Sequence, residues 1–225
     1  MQTNSTIRTL YLIGPSSTGK STLFRAIAKN MRLDPGQCVT EVARTVMKNT
    51  GFSRKTVGDI EMQRTIMEAQ LEREQVARSV AGSSAVRVVL SDRSAVDPIA
   101  YAVLTAATED EARARMRVLV DTSEFQAALR RYREGMFILF KPVPEWLVDD
   151  GVRSTDKQGQ SSEVFPEVLK ELGIPYVELG EEIKDLQARV AFAKRLIGQV
   201  VRASFFLLRN RVNILISSSL KGMRV

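Results

Sequence analysis

The sequence predicts an α/β fold in three layers, a five-stranded parallel sheet with helices on both faces. Two observations predict it. Short apolar runs at 9–13, 37–40, 86–90, 136–140 and 176–179 alternate with longer stretches of helical period, and strands that alternate with helices pair in parallel with both faces covered. The first of these runs, Thr9-Leu10-Tyr11-Leu12-Ile13, feeds directly into Gly14-Pro15-Ser16-Ser17-Thr18-Gly19-Lys20-Ser21-Thr22. That segment meets G-x-x-x-x-G-K-[ST] at every fixed position. It is followed by Leu23, Phe24, Ile27 and Met31 at helical spacing, the strand–loop–helix context the motif requires.

The motif makes a phosphate cradle for physical reasons. Gly14 and Gly19 let the backbone turn tightly and approach a ligand with no Cβ in the way. The loop N–H groups then face inward, and the first helix adds the positive end of its dipole. Lys20 neutralises the outer phosphates as a point charge. The Ser21 hydroxyl is placed to hold Mg²⁺, with Thr22 beside it at the helix start. The fold class is therefore that of a P-loop NTPase.

The remaining elements follow in order. A helix is expected over 20–31 and a turn at Asp34-Pro35-Gly36. Glu41-Val42-Ala43-Arg44 opens a helix that ends near Gly51. A long helix is expected from Arg54 to about Val80, with Met62, Ile66, Ala69, Val76 and Val80 as its apolar stripe and Ala81-Gly82-Ser83-Ser84 as its break. Val86 to Leu90 is the strongest strand, β-branched and bounded by small residues. A helix carrying Ala95, Ile99, Val103 and Leu104 follows. Two charged, surface-lying helices are expected at 109–120 and 124–133. Lys141 to Ser162, with two prolines and two glycines, reads as a loop of about twenty residues, and loops that long are functional lids or connectors. Helices at 164–172 and about 181–202 complete the domain, 1–203. The tail, 204–225, mixes apolar and basic residues without a clear period.

Composition narrows the chemistry. The 225 residues suit one large domain, and 44% hydrophobic with 26% charged residues are globular values. A single cysteine, Cys38, excludes a disulfide framework and suits a reducing, cytoplasmic setting. No histidine occurs. A Ser-His-Asp triad and His-built metal sites are thus excluded, and proton transfer must rest on carboxylates or lysine. The net charge of +7 favours polyanionic ligands. It is spread along helices, so no specific nucleic-acid binding is expected. No apolar run is long enough to span a membrane.

In a parallel sheet, ligands bind beyond the carboxyl ends of the strands. Four clusters fall there: the phosphate loop, Glu41 with Arg44, Asp92 with Arg93, and the long loop. Asp92 follows an apolar strand. It either organises Mg²⁺ or accepts a proton from a substrate hydroxyl, or else it caps the next helix. Arg93 either bridges substrate and phosphate or pairs with a surface acid. Asp97 and Tyr101 stand one turn apart on the following helix, as pocket or as surface. Glu41 and Arg44 face the pocket together or form a local ion pair. Gln63 and Gln70 share a helix face, either reading a base or solvated. The long loop carries Asp149, Asp150, Arg153, Asp156 and Lys157. If it closes as a lid, Arg153 reaches the transferring phosphoryl group.

These pieces together resemble a family of small P-loop ATPases and kinases. It includes the ribosylnicotinamide kinase domain of the bacterial NAD-biosynthesis regulator NadR and the TRP translocation defect proteins of animals. The likeness runs over about 8–200 and rests on Gly14 to Thr22, Glu41-Val42-Ala43-Arg44, Gln63, Ser91-Asp92-Arg93, and Asp149 with Arg153. Ser91 to Tyr101 also looks like the Asp-Arg segment of thymidylate and deoxynucleoside kinases. The resemblance implies the kinase-type strand order 2-3-1-4-5, ATP with Mg²⁺, and a small acceptor. Asp92 is then base or Mg²⁺ organiser, Arg153 a lid arginine, and Glu41, Arg44, Gln63, Arg93 and Asp97 the substrate side. A second function stays open: a nucleotide-driven switch or ATPase with a protein or lipid partner. The adenylyltransferase half of the bacterial regulator has no match in this chain.

Overall fold

The central strand of the sheet is buried from Thr9 onward, because both its faces are covered. β1 (Arg8–Ile13) has Leu10, Tyr11, Leu12 and Ile13 all within 1% of full burial, the pattern of a strand enclosed in parallel pairing. The computed structural model describes residues 7–146 and 155–199. Around β1 stand β2 (Cys38–Val39), β3 (Val88–Asp92), β4 (Met136–Phe140) and β5 (Tyr176–Leu179), in the order β2-β3-β1-β4-β5. Every pairing is parallel. This is the five-stranded order 2-3-1-4-5 that the sequence led us to expect.

Alternate β1 residues serve opposite faces. Leu10 and Leu12 pack with Leu90, Ile138 and Phe140 against α1 (Lys20–Met31) and α8 (Leu186–Gln199). Tyr11 and Ile13 face the other way. There they meet α3 (Ile60–Ser83), α4 (Val96–Leu104), α5 (Glu109–Val120), α6 (Ser123–Arg133) and α7 (Thr155–Glu171). α2 (Val42–Thr50) closes the β2 edge, with Val42 and Val46 against Val39 and Val89. Each fully buried aliphatic side chain contributes about 1.5–3 kcal/mol, so these clusters hold the layers together.

Several boundaries differ from the sequence expectation. The long helix starts at Ile60, not Arg54: a short 3-10 turn occupies Arg54–Thr56, and the Asp59 carboxylate then accepts from the Glu61 N–H at 2.8 Å as the cap. It runs through the expected break to Ser83. Its apolar stripe is also rotated, since Val76 is 48% exposed while Met62, Ile66, Met67, Leu71, Ala77 and Ala81 are buried. α5 and α6 are not wholly surface-lying: Met116, Leu119, Phe125, Leu129 and Tyr132 enter the core. The long loop is shorter than 141–162, because α7 begins at Thr155 and carries Gly159 and Pro166 inside it. A helical glycine costs only about 1 kcal/mol, and burial of Phe165, Val168 and Leu169 outweighs it. α8 begins later than expected, where Asp185 accepts from the Ala188 N–H at 2.7 Å. The tail 204–225 lies outside the described residues, as do Asp149, Asp150 and Arg153. Asp156 and Lys157 fall on α7, with their side chains outside the described set.

One polar cluster interrupts the apolar layer. Glu74 on α3 is fully buried. It accepts from the hydroxyls of Tyr132, at 2.9 Å, and Tyr11, at 3.5 Å, and from the Gln70 amide at 3.0 Å. Burial pushes its carboxyl up to about 7, and these donors together with Arg131 only partly oppose the shift. The ordinary carboxyl value is 4.5, so between about 4.5 and 7 the folded state holds the extra proton. Stability is then greatest below pH 4.5 and is lost as pH rises through 7. Over that window the loss is on the order of 3 kcal/mol. Glu74→Gln should remove it, so urea denaturation of the two proteins should diverge between pH 5 and pH 8, with the variant gaining at the higher pH. A difference that does not change with pH would contradict the buried-charge assignment.

Candidate nucleotide-binding site

The loop that leaves β1 takes the shape its glycines permit. Gly14 has φ +122°, and a Cβ there would stand 2.7 Å from the Phe140 carbonyl oxygen, a conformation and a closeness that only glycine tolerates. Gly19, at φ 87°, sits at the left-handed entry to α1. Ser17 is also left-handed, at φ 62°. The Thr18 hydroxyl is buried and donates to the Pro15 carbonyl at 3.0 Å. Lys20 is 5% exposed. Its ammonium donates to the Pro15 carbonyl and to the Thr18 hydroxyl inside the turn of the loop. Burial and the nearby Arg93 charge lower its pKa to about 7, with Asp97 and Asp92 pulling the other way. Anionic phosphate oxygens in that turn would restore its charge.

The register of the sheet brings the acid to the loop. β1 pairs with β3 so that Leu12 lies beside Asp92, and the Arg93 N–H donates to the Leu12 carbonyl at 2.9 Å. Asp92 thereby reaches the start of α1, where the Ser21 hydroxyl donates to its carboxylate at 2.8 Å. A hydroxyl and a carboxylate side by side are the hard oxygen donors that Mg²⁺ takes together with phosphates. Asp92 does not cap α4, whose N-cap position is Ala95 and carries no side-chain bond.

Arg93 turns left-handed, with φ 81°, and its guanidinium pairs with Asp97 at 2.8 Å. It lies over the Tyr101 ring at 5.8 Å and donates to the Gly14 carbonyl at 3.4 Å. Its partner is thus a buried acid on α4, not a surface one. Asp97, 2% exposed, also accepts from the Ser94 N–H at 2.9 Å. Burial raises the Asp97 carboxyl despite Arg93 and Ser94. Burial also opposes the Arg93 charge, but Tyr101, Asp97 and Asp92 outweigh it and raise its pKa.

Glu41 and Arg44 stand at the end of β2 and pair at 2.9 Å, with side chains 50% and 74% exposed. Gln63 and Gln70 do not lie on a solvated face: both are 2% exposed. The Gln63 amide donates to the Val57 carbonyl at 2.6 Å. The Gln70 amide donates to Ser91 Oγ at 3.0 Å and to the Arg93 carbonyl at 3.3 Å.

Sequence reasoning missed the other flank of the loop. A cleft of about 370 Å³ opens there, lined by Ser17, Gly19, Thr22, Trp146, Lys184, Leu186 and Arg189. Arg189 is 2% exposed and stacks on the Trp146 ring at 4.4 Å. It donates to three backbone carbonyls, Ile183 and Gly180 at 2.6 Å each and Thr18 at 3.4 Å. Burial lowers its pKa. The hint in the sequence was position: Arg189 falls on the buried stripe of α8 with Val190, Ala193 and Ile197.

A family model described as an AAA domain matches residues 9–189. The chain belongs to this AAA domain family. Among solved structures, the chain is similar to NadR protein in complex with NR, at TM-score 0.62 and 18% identity, covering 89% of this chain and 52% of that one. It is equally similar to NadR protein in complex with NAD and AMP-PNP, at TM-score 0.61 and 18% identity, covering 89% and 51%. Deoxyadenosine kinase from M. mycoides, with dCMP and dCDP bound, matches at TM-score 0.56 and 12% identity, covering 85% and 99%. At these identities the likeness shows a shared P-loop kinase fold. This AAA domain spans about half the length of the NadR chains it matches. No curated protein matches the sequence. No helix among the described residues is long and apolar enough to cross a membrane.

Trp146 is the only tryptophan, and a Cβ on Gly19 would stand 3.1 Å from its ring. Nucleotide entering the cleft should therefore change tryptophan emission, and Trp146→Phe should abolish the response without abolishing binding by calorimetry. Emission that ignores saturating nucleotide would place the ligand elsewhere.

Proposed function

We propose that the chain is an ATP-dependent small-metabolite kinase, transferring the γ-phosphate to a hydroxyl of a nucleoside or a ribosylnicotinamide-like acceptor. One observation carries the reading. The Ser21 hydroxyl and the Asp92 carboxylate meet at 2.8 Å, immediately beside a lysine folded into an anion-shaped turn. Cradle and metal-type oxygens thus share one rim, as in-line phosphoryl transfer needs.

The residues divide by flank. Gly14, Pro15, Ser16, Ser17, Thr18, Gly19, Lys20, Ser21 and Thr22 hold the phosphates, with Lys20 on the outer ones. The cleft at Trp146 and Arg189 takes the nucleoside end. Ser21 and Asp92 would hold Mg²⁺, which would neutralise charge between the phosphates when bound. Engagement of Asp92 with Ser21 supports the metal role for it over the base role. Glu41 is then the rim carboxylate with an open side. Val39 pairs with Ser91 in the sheet, so Glu41 leaves β2 level with Arg93, which supports a role on the acceptor side, with its carboxylate steadied by Arg44. Arg93 faces the acceptor and the transferring group, held by Asp97. Arg44 flanks Glu41. Gln63 acts through the Val57 turn. Arg153, outside the described residues, supplies lid charge. The family fold and the NadR and deoxyadenosine kinase neighbours are in keeping with a nucleoside-like acceptor.

The test is acceptor-dependent ADP release across nucleosides and pyridine ribosides, with Lys20→Ala as control. At least one acceptor should raise turnover well above basal hydrolysis, and the variant should lose both turnover and ATP binding. Basal hydrolysis that no acceptor raises would favour a nucleotide switch with a macromolecular partner. Unchanged ATP affinity in Lys20→Ala would refute the cradle itself.

The lid role has its own readout. Arg153→Ala should lower kcat by about 10²-fold or more while leaving ATP affinity within a few fold, since lid charge acts in the transition state. Equal losses in both would make Arg153 a plain binding residue.

A further inference from the structure

A buried acid is costly, and an apolar side chain of the same size is often the more stable choice. Glu74 nevertheless sits at zero exposure between α3, α6 and β1. The partners of this acid give the reason. Tyr132 donates its hydroxyl proton to Glu74 at 2.9 Å, and the same oxygen accepts the Ala95 N–H at 3.0 Å. The two amide protons of Gln70 serve three acceptors: Glu74 at 3.0 Å, Ser91 Oγ at 3.0 Å and, more distantly and sharing a proton, the Arg93 carbonyl at 3.3 Å. Ser91 Oγ in turn donates to the Arg93 carbonyl at 2.7 Å. Both routes out of Glu74 end on the backbone of 91–95, the segment that carries Asp92 and Arg93.

The chemistry of each link needs an acceptor at Glu74. A tyrosine hydroxyl has one proton. With that proton directed to Glu74, the hydroxyl turns a lone pair to the Ala95 N–H and not the proton that would repel it. The Gln70 amide is likewise fixed with its nitrogen, not its oxygen, toward the Arg93 carbonyl. Arg93 itself needs such support, because a non-glycine residue at φ 81° is strained by about 1–3 kcal/mol. The charged groups around the network are Arg131 on α6 and Arg78 on α3. Arg78 is bonded to the Thr9 hydroxyl at 3.1 Å.

We propose that Glu74 is a positioning residue for phosphoryl transfer: through Gln70 and Tyr132 it holds the 91–95 backbone so that the Arg93 guanidinium faces the acceptor and the Asp92 carboxylate faces Ser21. This rests on the kinase reading of the rim. Glu74 touches neither loop nor ligand.

The test combines backbone amide exchange, which needs no turnover, with kinetics. Glu74→Gln keeps the size and replaces one of the two acceptor oxygens by a donor amide, so Tyr132 and Gln70 can no longer both be accepted as they are. Tyr132→Phe removes the Ala95 acceptor and leaves Glu74 in place, a second route to the same segment should the first variant fold poorly. In both, exchange at Ala95 and its neighbours through Asp97 should quicken about tenfold while the amides of 14–22 stay as they were. With the acceptor found in the panel, kcat should fall at least tenfold and ATP affinity should stay within twofold. Unchanged exchange at Ala95, or exchange quickened throughout the chain, would reduce Glu74 to a core residue and overturn the proposal. Quickened exchange at Ala95 with unchanged kcat would overturn its catalytic half. A wild type with no acceptor-dependent turnover would instead defeat the kinase reading, and the exchange result would still decide what Glu74 holds.

Discussion

The rim is governed by one register. Because Leu12 lies beside Asp92, with the Arg93 N–H bonded to the Leu12 carbonyl, the loop leaving β1 and the acid ending β3 emerge at the same height. A slip by one residue would turn every β3 side chain to the opposite face. Leu90 would then leave the α1–α8 core and Asp92 would no longer reach Ser21. The hydrophobic pattern of β3 therefore enforces the chemistry at its end. Val88 and Leu90 choose one face, Val89 the other, and the acid follows without freedom of its own.

Around this register the protein collects ionisable groups in poor solvent and steadies each with a partner. Lys20 lies in the turn of its own loop, Asp97 is held by Arg93 and Ser94, and Glu74 by two tyrosines and a glutamine. The directions differ in an instructive way. Lys20 loses charge preference because burial strips it of water and the Arg93 cation stands nearby. Arg93 gains it against its burial, because Tyr101, Asp97 and Asp92 together outweigh the lost water. An incoming polyphosphate thus meets one cation already compensated and one whose compensation the ligand itself completes. In the proposed nucleotide complex, phosphate oxygens would add to the counter-charge that Asp97 and Asp92 give Lys20 only in part.

The fold was largely legible because its evidence is local. G-x-x-x-x-G-K-[ST] after Leu12-Ile13, and β-branched Val86 to Leu90 before Asp92, are short patterns whose cause lies within a few residues. The misreadings were of another kind. The residues after Arg54 favour helix, yet the Asp59 side chain, accepting the Glu61 N–H, sets the start of α3. Gln63 and Gln70 are polar and by composition suit a solvated face, yet both are buried. Their burial depends on carbonyls at Val57 and Arg93 that only the folded chain brings near. Glu74 and Arg189 carried a warning that was readable in principle, a charge on the buried stripe of a helix. Their partners lie 58 and 171 residues away in sequence, beyond any periodicity argument. The expected lid could be named by its composition, but Arg153 lies outside the described residues.

The two flanks of the phosphate loop use arginine in opposite ways, and the difference assigns them different work. Arg189 spends its donors on the carbonyls of Ile183, Gly180 and Thr18 and has Trp146 on its face. With three N–H groups on backbone carbonyls and its plane on Trp146, it braces the loop and lends the cleft a flat cationic edge suited to stacking a planar ring. Arg93 keeps a charge held by one buried acid at 2.8 Å, with its side chain still 27% exposed toward the rim. A guanidinium so aimed can follow negative charge as it moves between two oxygens, which a fully bonded one cannot. Under the proposed kinase reading, the flank where arginine braces backbone and ring would take the part of the ligand that stays unchanged, and the flank where Arg93 meets the rim would take the part that reacts.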